Sequence, residues 1–154
     1  NHGTTLQQEA KGEKLKKSLL YELPFVYVYE RTDLSTTLYG LQVYPETIRE
    51  VLFDKTIERY LTHKFTMLTK FDGKQNQHLD INFETRKNQS VSPHVRKYIL
   101  RKIVTNLLHK NSEFKELHQH LGKRAYPRLK FWPAEHPLYF HTGIKQKWVL
   151  HKHT

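Results

Sequence analysis

The side chains able to do chemistry in this 154-residue chain are mostly cationic, and the familiar catalytic arrangements are missing. There is no cysteine, so thiol nucleophiles, disulfide frameworks and thiolate-bound zinc or iron–sulfur sites are excluded by composition. Histidine is plentiful, with 11 copies. His118 and His120 stand two apart, which on a helix turns their rings in different directions, and no His-Glu-x-x-His pair accompanies them. Surface histidines and no metal site are expected, with His151 and His153 as tail residues. No Gly-x-Ser-x-Gly elbow presents a nucleophile, and Gly3-Thr4-Thr5 lacks the Gly-Lys-Ser/Thr of a phosphate loop. What remains is charge: 26 Lys and Arg against 15 Asp and Glu give +11, favouring an anionic partner such as nucleic acid, a nucleotide, coenzyme A or an acidic protein. The interleaved Arg124, Tyr126, Arg128, Lys130 and Trp132 suit single-stranded nucleic acid, through phosphate contacts and base stacking. No RNP1-like segment supports that use, so a solvated strand face is the preferred reading and nucleic acid is the alternative partner.

The elements that must position these residues follow from pattern. Residues 1–22 form a Lys-rich lead-in, crowded at Lys11, Lys14, Lys16 and Lys17, and one domain is expected over 23–154. Phe25-Val26-Tyr27-Val28-Tyr29 has strand propensity, and Leu34 to Val43 is a second strand candidate broken at Gly40 as a hairpin or bulge. Pro45 opens a helix carrying Ile48, Val51 and Leu52, expected to extend or restart through Ile57, Tyr60 and Leu61. Phe65, Met67, Thr69 and Phe71 alternate, Asp72-Gly73 turns the chain, and Leu79, Ile81 and Phe83 alternate against His78, Asp80, Asn82 and Glu84. That pattern predicts a hairpin with one face buried and one wet.

Ser92-Pro93 starts a helix with a wide apolar stripe from Val95 to Leu108. Ser112 is the expected cap of a second helix ending at Gly122, and Arg128 to Trp132 forms a strand stopped by Pro133. The order strand, helix, strand, strand, helix, strand predicts an α+β fold: a split βαβ (ferredoxin-like) antiparallel sheet with helices packed on one face. No stretch reaches the roughly 20 apolar residues of a membrane span and no signal-peptide core opens the chain, so a cytoplasmic protein with no membrane partner is expected. A third reading makes the Val95–Leu108 stripe a docking face, with a homodimer as its outcome.

One longer pattern is more specific. Arg31-Thr32-Asp33, followed by Gly40-Leu41-Gln42-Val43-Tyr44-Pro45-Glu46-Thr47-Ile48-Arg49-Glu50-Val51-Leu52, resembles the Arg-x-Asp, Gly-x-x-Val-x-Pro-x-x-Ile-x-x-Val-Leu signature. That signature opens the C-terminal domain of adenylate-forming enzymes, the acyl-CoA synthetase superfamily, in its phenylacetate-CoA ligase and coenzyme F390 synthetase-like branch. The ending Thr142-Gly143-Ile144-Lys145-Gln146-Lys147-Trp148-Val149-Leu150 is similar to that family's closing Gly-Lys-x-x-Arg-Val segment, with Ile144 inserted, Trp148 in place of the Arg and His151 in place of an acidic residue.

The resemblance implies a small lid that closes over a large N-terminal adenylation domain, which this sequence does not contain. In the full-length enzyme ATP and a small carboxylate substrate give an acyl-adenylate, then coenzyme A takes the acyl group. Magnesium and ATP would be held by the N-terminal domain; no cofactor and no activity are expected for this chain alone. Residue by residue, Arg31 and Asp33 fall on the hinge. Gly40 falls on the glycine that lets pantetheine pass close to the backbone, although a plain hairpin glycine is equally in keeping with its surroundings. Lys145 matches the lysine that steadies the adenylation transition state, with Lys147 as its rival.

Overall fold

A computed structural model describes residues 35–140 and 147–150. The expected lead-in at 1–22, the strand at 25–29, and Arg31, Asp33 and Lys145 lie outside the described residues.

Two short strands come first, β1 (Thr36–Leu38) and β2 (Leu41–Val43), paired antiparallel with Leu38 opposite Leu41. Helix α1 (Pro45–Val51) follows at once, because proline at its first turn gives up no needed N–H and Glu46 sits at the positive end of the helix dipole. It buries Pro45, Ile48 and Val51. The helical pattern does not continue through Leu61 as expected. Asp54 instead turns the chain, its Oδ1 accepting from the backbone N–H of Thr56 at 2.9 Å and of Ile57 at 3.4 Å. A single 3-10 turn at Ile57–Arg59 results, and Leu61 becomes the first residue of a strand.

That strand, β3 (Leu61–Phe71), pairs antiparallel with β4 (Gln77–Thr85), placing Phe65 opposite Phe83, Met67 opposite Ile81 and Thr69 opposite Leu79. Ser92 caps α2 (Pro93–Lys110), its hydroxyl accepting from the Val95 N–H at 3.3 Å. The cap of α3 (Ser112–Leu121) is Asn111 rather than Ser112. Asn111 already has extended backbone where α2 ends, φ −122° and ψ 101°, and its Oδ1 accepts from the Phe114 N–H at 2.9 Å. Gly122, at φ +56°, ends α3. Strand β5 (Arg128–Trp132) then lies beside β4.

The α+β class holds, with a three-stranded sheet in the order β3-β4-β5. One pairing departs from the antiparallel expectation: β5 runs parallel to β4, with Phe131 opposite Phe83. The two intervening helices return the chain to the end of the sheet where β4 starts, which is what a parallel neighbour needs. On the far edge Met67 makes a bridge to the chain's closing segment, donating to the Trp148 carbonyl at 2.6 Å and accepting from the Leu150 N–H at 2.9 Å.

One face of the sheet carries the core. Phe65, Met67, Leu79, Ile81 and Phe83 are all at most 1 % exposed and cluster with Ile99, Ile103, Leu107, Phe114 and the α1 residues Ile48 and Val51. The apolar stripe of α2 is thus largely taken up by the protein's own sheet, which removes most of the docking face expected there. The opposite face is not wet, as alternation predicts, but buried and polar. Asp80, Asn82 and Glu84 are 1 %, 1 % and 2 % exposed. Lys130 and Lys70 reach Asp80 Oδ2 at 2.8 and 3.3 Å, the Trp132 indole donates to Asn82 Oδ1 at 2.8 Å, and Glu84 accepts from Thr62 at 2.8 Å and from the Glu135 backbone at 2.8 Å. Side chains from β5 and the segment behind it cover this layer; donors hold Glu84 and the Oδ2 of Asp80, while Asp80 Oδ1 has no hydrogen bond among the described residues and faces His78 Nε2 at 3.5 Å.

Candidate functional site

The Tyr39–Gly40 turn is an exposed part of the signature. Both residues have positive φ, +53° and +82°, between the paired Leu38 and Leu41. That is the two-residue hairpin turn with left-handed backbone at both central positions, and glycine is its natural second residue. A tyrosine at positive φ is rarer. It is held from outside the hairpin, its N–H donating to Gln77 Oε1 at the start of β4. A Cβ built on Gly40 would meet nothing within 4 Å, so its backbone is open to an approaching molecule as well as conformationally required. The other signature residues hold the turn in place: Val43, Ile48, Val51 and Leu52 are buried in the core.

Beside this turn lies a cavity of about 260 Å³. Tyr39 and Gln77 line it together with Lys123, Arg124, Tyr126 and Arg128 from the turn after α3 and the start of β5. Asp72, Asn76 and His78 complete the lining. The interleaved basic and aromatic residues of the sequence therefore divide. Arg124, Tyr126 and Arg128 converge on the cavity, whereas Lys130 and Trp132 cover Asp80 and Asn82 and are half-buried rather than a solvated face. Tyr126 is braced by His118, the two rings stacked at 5.4 Å with the phenol oxygen 3.3 Å from Nε2.

Electrostatics in the cavity are uneven. Asp72 is held below the usual carboxylate range, first by the Asn76 backbone N–H, then by the Asn76 side chain and the Lys74 N–H. His78 is pushed below the ordinary imidazole value, first by burial and then by the Arg128 guanidinium, so its neutral form is favoured. Arg128 Nη1 lies 3.2 Å from His78 Nε2, which accepts from the guanidinium when the ring proton is on Nδ1; Asp80 Oδ1 lies 3.5 Å from the same Nε2. That Nδ1 is buried without a hydrogen-bond partner among the described residues.

At the other end of the signature's reach, Lys147 opens the segment bridged to Met67. Trp148, where the family pattern has arginine, packs instead: it stacks on Phe65 at 6.2 Å with 5° between ring planes, under the Arg49 guanidinium at 5.6 Å. Nothing in the sequence pattern marks His78 or Asn76 as cavity residues; the pairing of β4 beside β5 brings His78 to Arg128, and Asn76, just ahead of β4, meets Arg124.

No protein-family model and no curated protein matches the sequence. Among solved structures the chain is similar to a domain of phenylacetate-coenzyme A ligase from Bacteroides vulgatus ATCC 8482, at 14 % identity and a TM-score of 0.47, over 76 % of this chain and 91 % of that one. It is also similar to McyG A-PCP complexed with phenylalanyl-adenylate, at 14 % identity and a TM-score of 0.40, over 71 % of this chain and 17 % of that one.

Proposed function

We propose that this chain is the C-terminal lid of an ATP-dependent carboxylate–coenzyme A ligase of the adenylate-forming type, acting only with an N-terminal adenylation domain. The observation that carries this reading is the setting of Gly40: an exposed, left-handed glycine in a tight turn, with Val43, Pro45, Ile48, Val51 and Leu52 of the same signature buried behind it.

In this reading the carboxylate oxygen attacks the α-phosphorus of ATP and pyrophosphate leaves. Lys145 is assigned to that step, its ammonium offsetting the negative charge that gathers on the α-phosphate oxygens, with Lys147 as the alternative. The lid then reorients about Arg31 and Asp33, aspartate being among the non-glycine residues most tolerant of altered φ and ψ. In the second step the thiol sulfur of coenzyme A attacks the acyl carbon and AMP leaves, with the Gly40 turn alongside the thiol's arm.

The test is ATP–pyrophosphate exchange by the gene product that contains this chain, measured across a panel of carboxylic acids. Acid-dependent exchange, depressed more than thioester formation by Lys145→Ala, is the expected result. Absence of exchange with every acid, or equal loss of both steps in the variant, overturns the reading.

A further inference from the structure

We propose that the cavity beside the Tyr39–Gly40 turn is a binding site for the phosphate group of a small molecule, gripped by Arg124 and Arg128. This does not rest on the ligase reading. Three cations, Lys123, Arg124 and Arg128, line the cavity against one carboxylate, Asp72, a balance of 3 − 1 = +2 with His78 neutral. Asp72 is engaged by the N–H groups of its own turn, at 2.8 Å from Lys74 and 2.9 Å from Asn76. Among the described residues the hydrogen bonds of these arginines go to neutral acceptors, Arg124 donating to the Asn76 amide oxygen at 3.3 Å and Arg128 to the His78 ring at 3.2 Å, while the Arg128 charge also favours ionised Asp72. A guanidinium presents a planar fork of N–H donors that matches phosphate oxygens in pairs, and such charge-assisted bonds are about twice as strong as neutral ones.

Size sets the class of ligand. About 260 Å³ is below the roughly 300–1,000 Å³ of sites that enclose a drug-sized molecule, so the cavity takes a phosphate and its nearest atoms while the rest of the ligand lies outside. Tyr39 and Tyr126 both belong to the lining, and Gly40, whose backbone is open, follows Tyr39 in the turn. A phosphate drawing Arg128 toward itself also places negative charge beside His78, a half-buried ring whose Nδ1 has no hydrogen-bond partner among the described residues.

The experiment is an NMR titration of the 154-residue chain, following the Arg124 and Arg128 side-chain N–H signals and the His78 ring. The probes are inorganic phosphate, a nucleoside 5′-monophosphate, sodium chloride at matched ionic strength, and a short oligonucleotide lacking any terminal phosphate. Saturable shifts of all three residues with the first two probes, and none with chloride, are expected. Phosphate should also raise the His78 titration midpoint against the fixed surroundings of Arg128, Lys130, Lys70, Asp80 and Asp72. Arg124→Gln with Arg128→Gln should weaken binding at least about tenfold through loss of two charge-assisted contacts, while the exposed Lys97→Gln changes nothing. Both arginines are exposed, so the double variant keeps its unfolding temperature; Arg128→Lys, which keeps charge but not the fork, should bind with intermediate strength. Shifts that chloride reproduces, that survive the double variant, or that the oligonucleotide produces more tightly than phosphate would overturn the proposal, the last in favour of a nucleic-acid surface.

Discussion

Lys130 Nζ lies 2.8 Å from Oδ2 of Asp80, a carboxylate that is 1 % exposed at the centre of the sheet, while the lysine itself remains 42 % exposed. The cation comes from β5 and the anion from β4, so this pair ties together the two strands that run parallel. Lys70, from β3, approaches the same oxygen at 3.3 Å.

Removing both lysines strands a buried anion. Lys70→Met with Lys130→Met should therefore destabilise the protein by about 3–5 kcal/mol, the usual cost of leaving a buried charge unpaired. Either single variant should cost much less, since one cation remains. Adding Asp80→Asn to the double variant should recover a large part of the loss. Urea unfolding of the four proteins checks this; additive single effects would show that the lysines do not share one partner.

Stability should depend on pH through His78. Its folded-state value is lowered from 6.5, so the unfolded chain binds the proton more readily. Stability then rises with pH through this window: the contribution is complete above about pH 6.5 and is lost as pH falls from there through the lower folded-state value. The slope of unfolding free energy against pH just below 6.5 should be smaller in His78→Gln than in the parent, whatever the variant's absolute stability.

Capping separates two neighbours that are equally good candidates in the sequence. Asn111→Ala should cost about 0.5–2 kcal/mol, because it removes the acceptor for the Phe114 N–H and also the side-chain N–H donated to the Gln42 carbonyl at 3.0 Å. Ser112→Ala, already inside α3, should be nearly neutral. Thermal unfolding of the two variants distinguishes them, and a reversed order would move the cap.

Gly40 needs its conformation more than its space. Gly40→Ala should destabilise by about 1 kcal/mol from the left-handed backbone alone, since a Cβ meets no neighbour within 4 Å. Gly40→Asn should cost less, asparagine being tolerated at positive φ. Unfolding midpoints check both, and a loss of several kcal/mol in Gly40→Ala would mean a contact at the turn that this geometry does not contain.

These residues also show where sequence reasoning stops. The β3–β4 hairpin was legible because period-two alternation directly reports which side of a strand is apolar. Alternation is silent on what covers the other side, so Asp80, Asn82 and Glu84 read as wet; their cover, Lys130, Trp132 and the Glu135 backbone, arrives some 50 residues later. Gly40 was legible as a turn or bulge from type alone, and Pro45 as a helix start. Leu61 was not, because an apolar residue four places after Ile57 fits a helix until the Asp54 side chain is seen to end it. For the cavity, Arg124, Tyr126 and Arg128 stood out as a run, but spacing cannot tell that Lys130 and Trp132 turn to a different task. Arg31, Asp33 and Lys145 lie outside the described residues and rest on the motif.

The bridge between Met67 and Val149 has a practical meaning for how copies of this molecule behave toward one another. Residues 147–150 occupy the main-chain groups of Met67 on the outer border of β3, and Trp148 shields Phe65 there. Trimming the chain ahead of Lys147 would bare a hydrophobic strand margin, the ready template on which sticky, strand-to-strand aggregates grow.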